Sequence, residues 1–294
     1  MNYNKPLTLI LFLLLLTNIC AHAQQKRFSI EAGPEYRTED FRWSIAGNMQ
    51  GTNPNILSEL IFKPVNAFGF YTNGRVNLTE KFSLNVHYNR LFTYDGEVTD
   101  FDYNDDNRTD PKTQLYLQSD KGDMRTVGMQ FNYHFFNNNN FAATTGLGYN
   151  HTKELFYLTN DNDPLLQSTY RANWDGPNLA LKGLFDFGHF NLGAGVTGHY
   201  LFYNAKANWN LVEEFQHPVS FRHKAQGHGF DYRLTFGLRP LSFLNIGLHL
   251  LHSNWKTGYG TDKLYMASGD IYNARLNGAF KKNLGLRLNT TFNF

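Results

Sequence analysis

The stretch EVTDFDYNDD, residues 97–106, holds the side chains whose types and spacing could do chemistry. Asp100 and Asp102 sit two apart, each followed by an aromatic, and seven acidic residues fall between Asp95 and Asp110. On extended backbone, residues two apart point the same way, so both carboxylates can face one site. Two carboxylates held close cannot both ionise freely, and one then holds a proton. Such a pair can bind and polarise a water. Two other readings stay open. Asp100-x-Asp102-x-Asn104 opens like a calcium loop, but Asp105 stands where that loop needs glycine, and Pro111 where it needs glutamate. Alternatively, the acids are a solvated loop tip. The eleven histidines include no H-x-x-x-H or HExxH spacing, and no G-x-S-x-G is present, so no metal is expected and neither zinc nor serine hydrolysis is indicated. What the pair does depends on the elements that position it.

The chain opens like an exported protein. Lys5 precedes an apolar run from Leu7 to Ile19, and Ala21-His22-Ala23 forms an A-x-A cleavage site. A signal peptide over residues 1–23 is expected, leaving 24–294 as one domain. Cys20 is the only cysteine and would leave with the signal, so disulfides contribute nothing afterwards. The formal net charge of +2 would fall to +1 with loss of Lys5. No basic stripe points to nucleic acid. With 26 Phe and 17 Tyr, the chain is 16% aromatic, yet its mean hydropathy is −0.46. A membrane barrel reconciles the two, with aromatic girdles outside and a polar lumen within.

Alternation supports that reading. Leu284, Leu286, Leu288, Phe292 and Phe294 alternate with Gly285, Arg287, Asn289, Thr291 and Asn293, and the chain ends on an aromatic as outer-membrane barrels do. Similar period-2 runs start at Phe82, Val127, Phe190, Phe230 and Leu244. Short connections rich in turn formers fall at 79–81, 137–140, 188–189 and 240–242. Long ones cover about 38–55, 97–122, 158–170, 205–224 and 257–271. Alternating long and short, the nine connections predict an all-β, ten-stranded antiparallel transmembrane barrel in the outer membrane. Its long loops are expected outside, with both termini periplasmic. Several strands exceed the roughly 9–11 residues that cross a bilayer, so the barrel should extend above the outer membrane. Ten strands leave too narrow a lumen for a general porin.

At this level the sequence resembles the omptin family, ten-stranded outer-membrane endopeptidases. ILSELIF (56–62), TDFDY (99–103), GLGYN (146–150), VSFRHK (219–224) and NWKTGYGTDKLY (254–265) are similar to family segments and fall in family order. The resemblance implies cleavage of peptides at the cell surface by a water activated between an Asp-Asp pair and an Asp-His pair. Asp100 and Asp102 match the first pair. For the second, Asn208 and Asn210 stand at the family's Asp and His positions, and asparagine is no base. The longer loop around them offers His217 as a replacement, with Glu213 or Glu214 as partner. The resemblance further implies Glu39, Asn208 and Asn210 as substrate-binding positions. Family members need lipopolysaccharide, and the resemblance implies that it would bind here through Tyr149 and Lys153, with His151 departing from the family pattern. No other cofactor is expected. The partners would be outer-membrane lipid or lipopolysaccharide and a peptide or protein substrate.

The altered second pair leaves an alternative: a degenerate barrel that binds surface ligands or peptides without cutting. FYTNG (70–74) is similar to a tetrapeptide of outer-membrane lipid A deacylases, but no Ser/His arrangement accompanies it, so a lipid-modifying enzyme is the lesser reading.

Overall fold

The computed structural model describes residues 27–294, and the signal peptide expected over 1–23 lies outside them. Twelve antiparallel strands form one sheet: β1 Phe28–Ile45, β2 Ser58–Asn77, β3 Phe82–Tyr103, β4 Pro111–Gln118, β5 Gly122–Asn137, β6 Phe141–Asn160, β7 Asp163–Asp186, β8 Phe190–Asn208, β9 Phe221–Leu241, β10 Leu244–Thr257, β11 Gly260–Tyr265 and β12 Ile271–Asn293. β1 pairs with β12 from Ser29↔Asn293 to Ile45↔Leu276, which closes the sheet into a barrel. The ring has ten positions, as the alternation predicts. Two of them are split: β4 and β5 together bridge β3 to β6, and β10 and β11 together bridge β9 to β12.

The connections at the upper end are shorter than expected. β1 runs on to Ile45, β3 to Tyr103 and β8 to Asn208, while only Asp161 and Asn162 separate β6 from β7. Much of what reads as loop in the sequence is wall. The reason is an inversion of polarity along the strands. Low in β1, Phe28 and Ile30 face outward, while Glu31, Glu35, Arg37 and Glu39 face the lumen. Higher up, Phe41 and Trp43 are the inward residues and Arg42 faces out. β8 repeats the change, from Asn191, Thr197 and His199 inside to Leu201, Tyr203, Ala205 and Ala207 inside, with Lys206 outside. The lower segment meets lipid; the upper one stands in water and buries its apolar face inward.

That upper lumen is filled by rings. Phe41 stacks on Phe156 at 5.6 Å, Phe62 lies 4.7 Å from Phe156, Trp43 stacks on Tyr170 at 5.7 Å, and Trp174 packs 4.4 Å from Tyr203. Beneath this plug lies a layer of buried ions. Lys281 is hydrogen-bonded to Glu154, lies 3.8 Å from Glu39 and sits 4.2 Å from the Trp255 ring centroid. Glu35 accepts from Arg37 at 2.6 Å and from Arg287 at 2.7 Å.

β3 carries a bulge where its pairing with β2 passes from Ala67↔Thr93 to Asn66↔Asp95. A bulge reverses which face successive side chains point to. Below it the odd residues Asn89, Leu91 and Thr93 are buried; above it the even residues Val98 and Asp100 are. This shift turns the acidic pair inward.

Removing a ring from the plug should be costly. Phe156→Ala is expected to lose about 3–5 kcal/mol in urea unfolding of the micelle-bound protein, as large-to-small core changes do. Leu165→Ala, at an exposed site, should stay within about 0.5 kcal/mol. Equal losses for the two would show that the rings are not a packed core.

Candidate functional site

Asp100 lies about 18 residues beyond the turn end of β3. At about 3.3 Å per residue and a tilt near 40°, that sets it roughly 45 Å up, well above the ~25 Å apolar band of a membrane barrel. Its side chain is buried, and its Oδ2 accepts a 3.1 Å hydrogen bond from Trp209 Nε1. Trp209 follows the end of β8, on the far side of the ring, so the indole spans the mouth between opposing walls. Burial pushes the Asp100 carboxyl up to about 7. The charge of Asp102 adds to the rise, and the Trp209 bond opposes it. Asp102 is more exposed. Beside the pair, on β2 opposite Phe101, Glu59 accepts from Tyr103 Oη and Arg108 Nε, each at 2.8 Å. Asp106 and Asn107 pin the β3–β4 turn to the backbone and side chain of Asn55. The acidic run is thus divided between an ordered wall and a tied-down turn. Among the described residues, no three of His, Cys, Asp and Glu are placed to hold a metal.

The expected second pair is not assembled. His217 is exposed, and its Nδ1 lies 2.7 Å from Asn208 Oδ1. Its loop is held to the β11–β12 corner by Gln216 N–H to Tyr265 O and by Ala267 N–H to Glu214 O. Among the described residues, no hydrogen bond or ion pair joins the side chain of Glu213 or Glu214 to His217. Asn210 staples the loop to β7: it accepts from the Gln167 amide at 2.9 Å and donates to Leu165 O at 2.8 Å. Glu39, matched by resemblance to a substrate-binding acid, is sealed under the plug beside Lys281 and Asn283. It is buried too deeply to meet anything in the mouth, because the polarity inversion of β1 begins just above it.

The residues that close the mouth are ones that neither spacing nor resemblance singles out. Trp209 stands between the two asparagines the resemblance singled out. His223, inside the quoted VSFRHK, forms a buried pair with Asp262 at 3.2 Å (Nε2 to Oδ1). Its Nδ1 lies 2.8 Å from Tyr170 Oη, which in turn lies 2.5 Å from Tyr203 Oη. This imidazole is cut off from Asp100 by Phe221, 5.2 Å from His223, and by Trp209, 4.8 Å from Phe221. Strand parity was the available signal. In FRHK, Phe221 and His223 share one face and Arg222 and Lys224 the other.

On the outer wall, Tyr149 is exposed and Lys153 partly so, with His151 bonded to Asp175 between them. Arg171, Lys206, Arg222 and Lys263 are paired across β7, β8, β9 and β11, and all four are exposed. They form a ladder of cations above the apolar band.

A closed antiparallel barrel with lipid-facing apolar residues, a filled lumen and a protruding upper wall defines an outer-membrane β-barrel protein. A family model, the Protochlamydia outer membrane protein family (Pom), matches residues 29–294, and the chain belongs to that family. In fold it is similar to the outer membrane protease OmpT from Escherichia coli, with TM-score 0.75, 10% identity, and coverage of 91% of this chain and 97% of that one. At that identity the likeness is one of architecture; the family shown is Pom and not the omptins. The translocator domain of the autotransporter NalP from Neisseria meningitidis (TM-score 0.39, 8% identity, covering 99% and 96%) and OprG from Pseudomonas aeruginosa (0.36, 11%, covering 91% and 95%) align too loosely to argue from. No curated protein matches the sequence.

The raised Asp100 pKa sets a pH dependence. Below the usual 3.8 the carboxyl is protonated in both folded and unfolded chains and contributes nothing. Between that value and about 7 only the folded chain keeps the proton, so stability falls as pH rises, by up to about 4 kcal/mol. Above about 7 the penalty is constant. Asp100→Asn retains an acceptor for Trp209 and should remove this limb, so the stability difference between variant and wild type grows from pH 4 to pH 7. A difference that stays flat across that range would show Asp100 to be ionised throughout.

Proposed function

We propose that this protein is an outer-membrane surface barrel that binds peptides or protein segments at a carboxylate-lined mouth without hydrolysing them. The observation that carries this is the Trp209–Asp100 hydrogen bond. The indole occupies the side of Asp100 that faces the opposite wall, where a hydrolytic water and its base would stand. Asn208 is bonded to His217 instead of to a carboxylate partner. Hydrolysis by water needs a base that titrates near neutrality, and an indole N–H donates only. In this reading the short-turn end and both termini face the periplasm and the mouth faces outward. Tyr149, Lys153 and the cation ladder rest against the phosphates of lipopolysaccharide or other anionic headgroups.

A second reading, an omptin-like endopeptidase, is favoured by one feature. An aspartate held near neutrality beside a second one is what a water-binding dyad requires. It needs Trp209 to swing aside and the loop to bring His217 and Glu214 over Asp100.

Purified protein reconstituted with lipopolysaccharide should bind members of a peptide library saturably and leave them intact, and Asp102→Asn should weaken the binding. Cleavage by the wild type would overturn the binding-only reading. In that case His217→Ala should lower the rate by roughly 10²–10⁴-fold if that histidine is the base.

A further inference from the structure

Below the ion layer the lumen opens into a chamber of about 1010 Å³. Its lining runs from Arg37 and Lys281 at the top down to Thr79, Asn137 and Asn293 at the short turns. Most charges that reach it are already matched. Arg287 and Arg37 are held by Glu35, Lys281 by Glu154, and Arg239 by Asp186. On the acidic side, Glu31 is 3.1 Å from His249, and Asp231 is 2.8 Å from His199.

Three cations are left over. Lys182 donates only to the neutral Gln130 amide. Arg75 bonds only Asn77 and His134. Arg233 makes no hydrogen bond or ion pair among the described residues. Arg233 and Arg75 both lie within electrostatic reach of Lys182, and Glu31 opposes them there, while Asp231 is taken up by His199. Three like charges enclosed by a low-dielectric wall repel one another more strongly than they would in water, and Glu31, already bonded to His249, offsets only part of that charge.

The register gives the cluster a shape. Lys182 on β7 pairs with Gly195 on β8, and Gly195 pairs with Arg233 on β9. The two cations therefore flank a lumen-facing glycine. A Cβ there would stand 3.3 Å from Lys182 Cγ, inside the gap the two side chains border. Arg75 faces this gap from β2, across the ring.

We propose that this chamber binds a small free oxyanion of the phosphate or polyphosphate class, cradled over Gly195 by Lys182 and Arg233 and capped by Arg75. A planar guanidinium gives paired donors to phosphate oxygens, and an ammonium gives a point charge. The aromatic plug closes the upper end, so the anion enters from the short-turn end and does not pass through. The unbroken strand wall separates the chamber from bilayer lipid, so the oxyanion is free and not a lipid headgroup. This site is separate from the mouth and does not depend on what the mouth does.

The test is calorimetric titration of the full-length, detergent-refolded protein with inorganic pyrophosphate and with phosphate at low salt. Saturable binding near one per chain is expected. Lys182→Gln and Arg233→Gln should each weaken it about tenfold or more, as loss of a charge-assisted bond does. Gly195→Val should weaken it with no change in charge, while Arg233→Lys should restore part of the loss. Lys256→Gln, at an exposed lysine on the outer wall of β10, should leave it unchanged. Heat-modified gel migration checks that each variant is folded, and a variant that fails this check is replaced in the comparison by Arg233→Lys and Gly195→Val. The proposal is overturned if the wild type shows no saturable binding. It also fails if the folded chamber variants bind like wild type, or if Lys256→Gln removes the binding.

Discussion

The reversal of inside and outside along the strands is the constraint on which the rest of this structure depends. A barrel wall in lipid must put apolar residues outward and can keep a polar lumen. The same wall continued into water must do the opposite. Phe41 and Trp43 follow Glu35, Arg37 and Glu39 on one face of one strand, and that change is repeated around the ring. The consequence is a membrane barrel with a soluble-type core at its upper end. With no disulfide among residues 24–294, that core stiffens the protruding wall. It also makes the upper lumen solid, so the chamber below and the mouth above share no passage.

The mouth inherits its chemistry from that core. Asp100 is buried because a bulge turns it toward packed rings, and burial is the first cause of its raised pKa. Trp209 is an outlying member of the same packing that also carries a hydrogen-bond donor. It is partly exposed, packs on Phe221, and spends its N–H on Asp100. One side chain thus satisfies a buried carboxyl and fills the space a substrate backbone would need. An unpaired buried carboxyl would cost more than the bond returns, so displacing Trp209 requires an occupant that brings its own donor.

How much of this was legible in the sequence follows from the same inversion. In the lipid-facing segments, such as Phe82–Tyr88 or Leu284–Phe294, alternation gives strand, face and register directly, and the ten-position ring follows from the connections between such runs. Above the membrane the alternation persists in reverse. Outward Lys206, Arg222 and Lys224 then read as loop polarity, so the upper ends of β1, β3 and β8 read as loops, and only the resemblance makes Glu39 a substrate-binding position. The bulge in β3 runs into Asp95-Gly96, a pair that reads as a turn, so the sequence does not show that the strand continues through it. Asp100 and Asp102 were recognisable as a pair from their spacing alone. The closing of the mouth by Trp209 was not, because it depends on a contact between residues 109 positions apart.

The ion layer explains why two sites can coexist in so narrow a barrel. Glu39, Glu154 and Lys281 lie between the plug and the chamber, with Arg37, Glu35 and Arg287 beside them. Buried charges of this kind are costly to separate and contribute little net stability once paired. Their balance nevertheless has a local effect. Each cation in the layer is matched within it, so little positive charge is left over to offset the carboxylates of the mouth or to add to the cluster around Lys182. The chamber's field is then set by Lys182, Arg233 and Arg75 against Glu31, and the mouth's by Asp100, Asp102 and Glu59 against Arg108. Sites without shared partners respond independently to substitution. A neutralisation in the layer, such as loss of Lys281, would expose two glutamates to both sides at once, and it is there that chamber and mouth would become coupled.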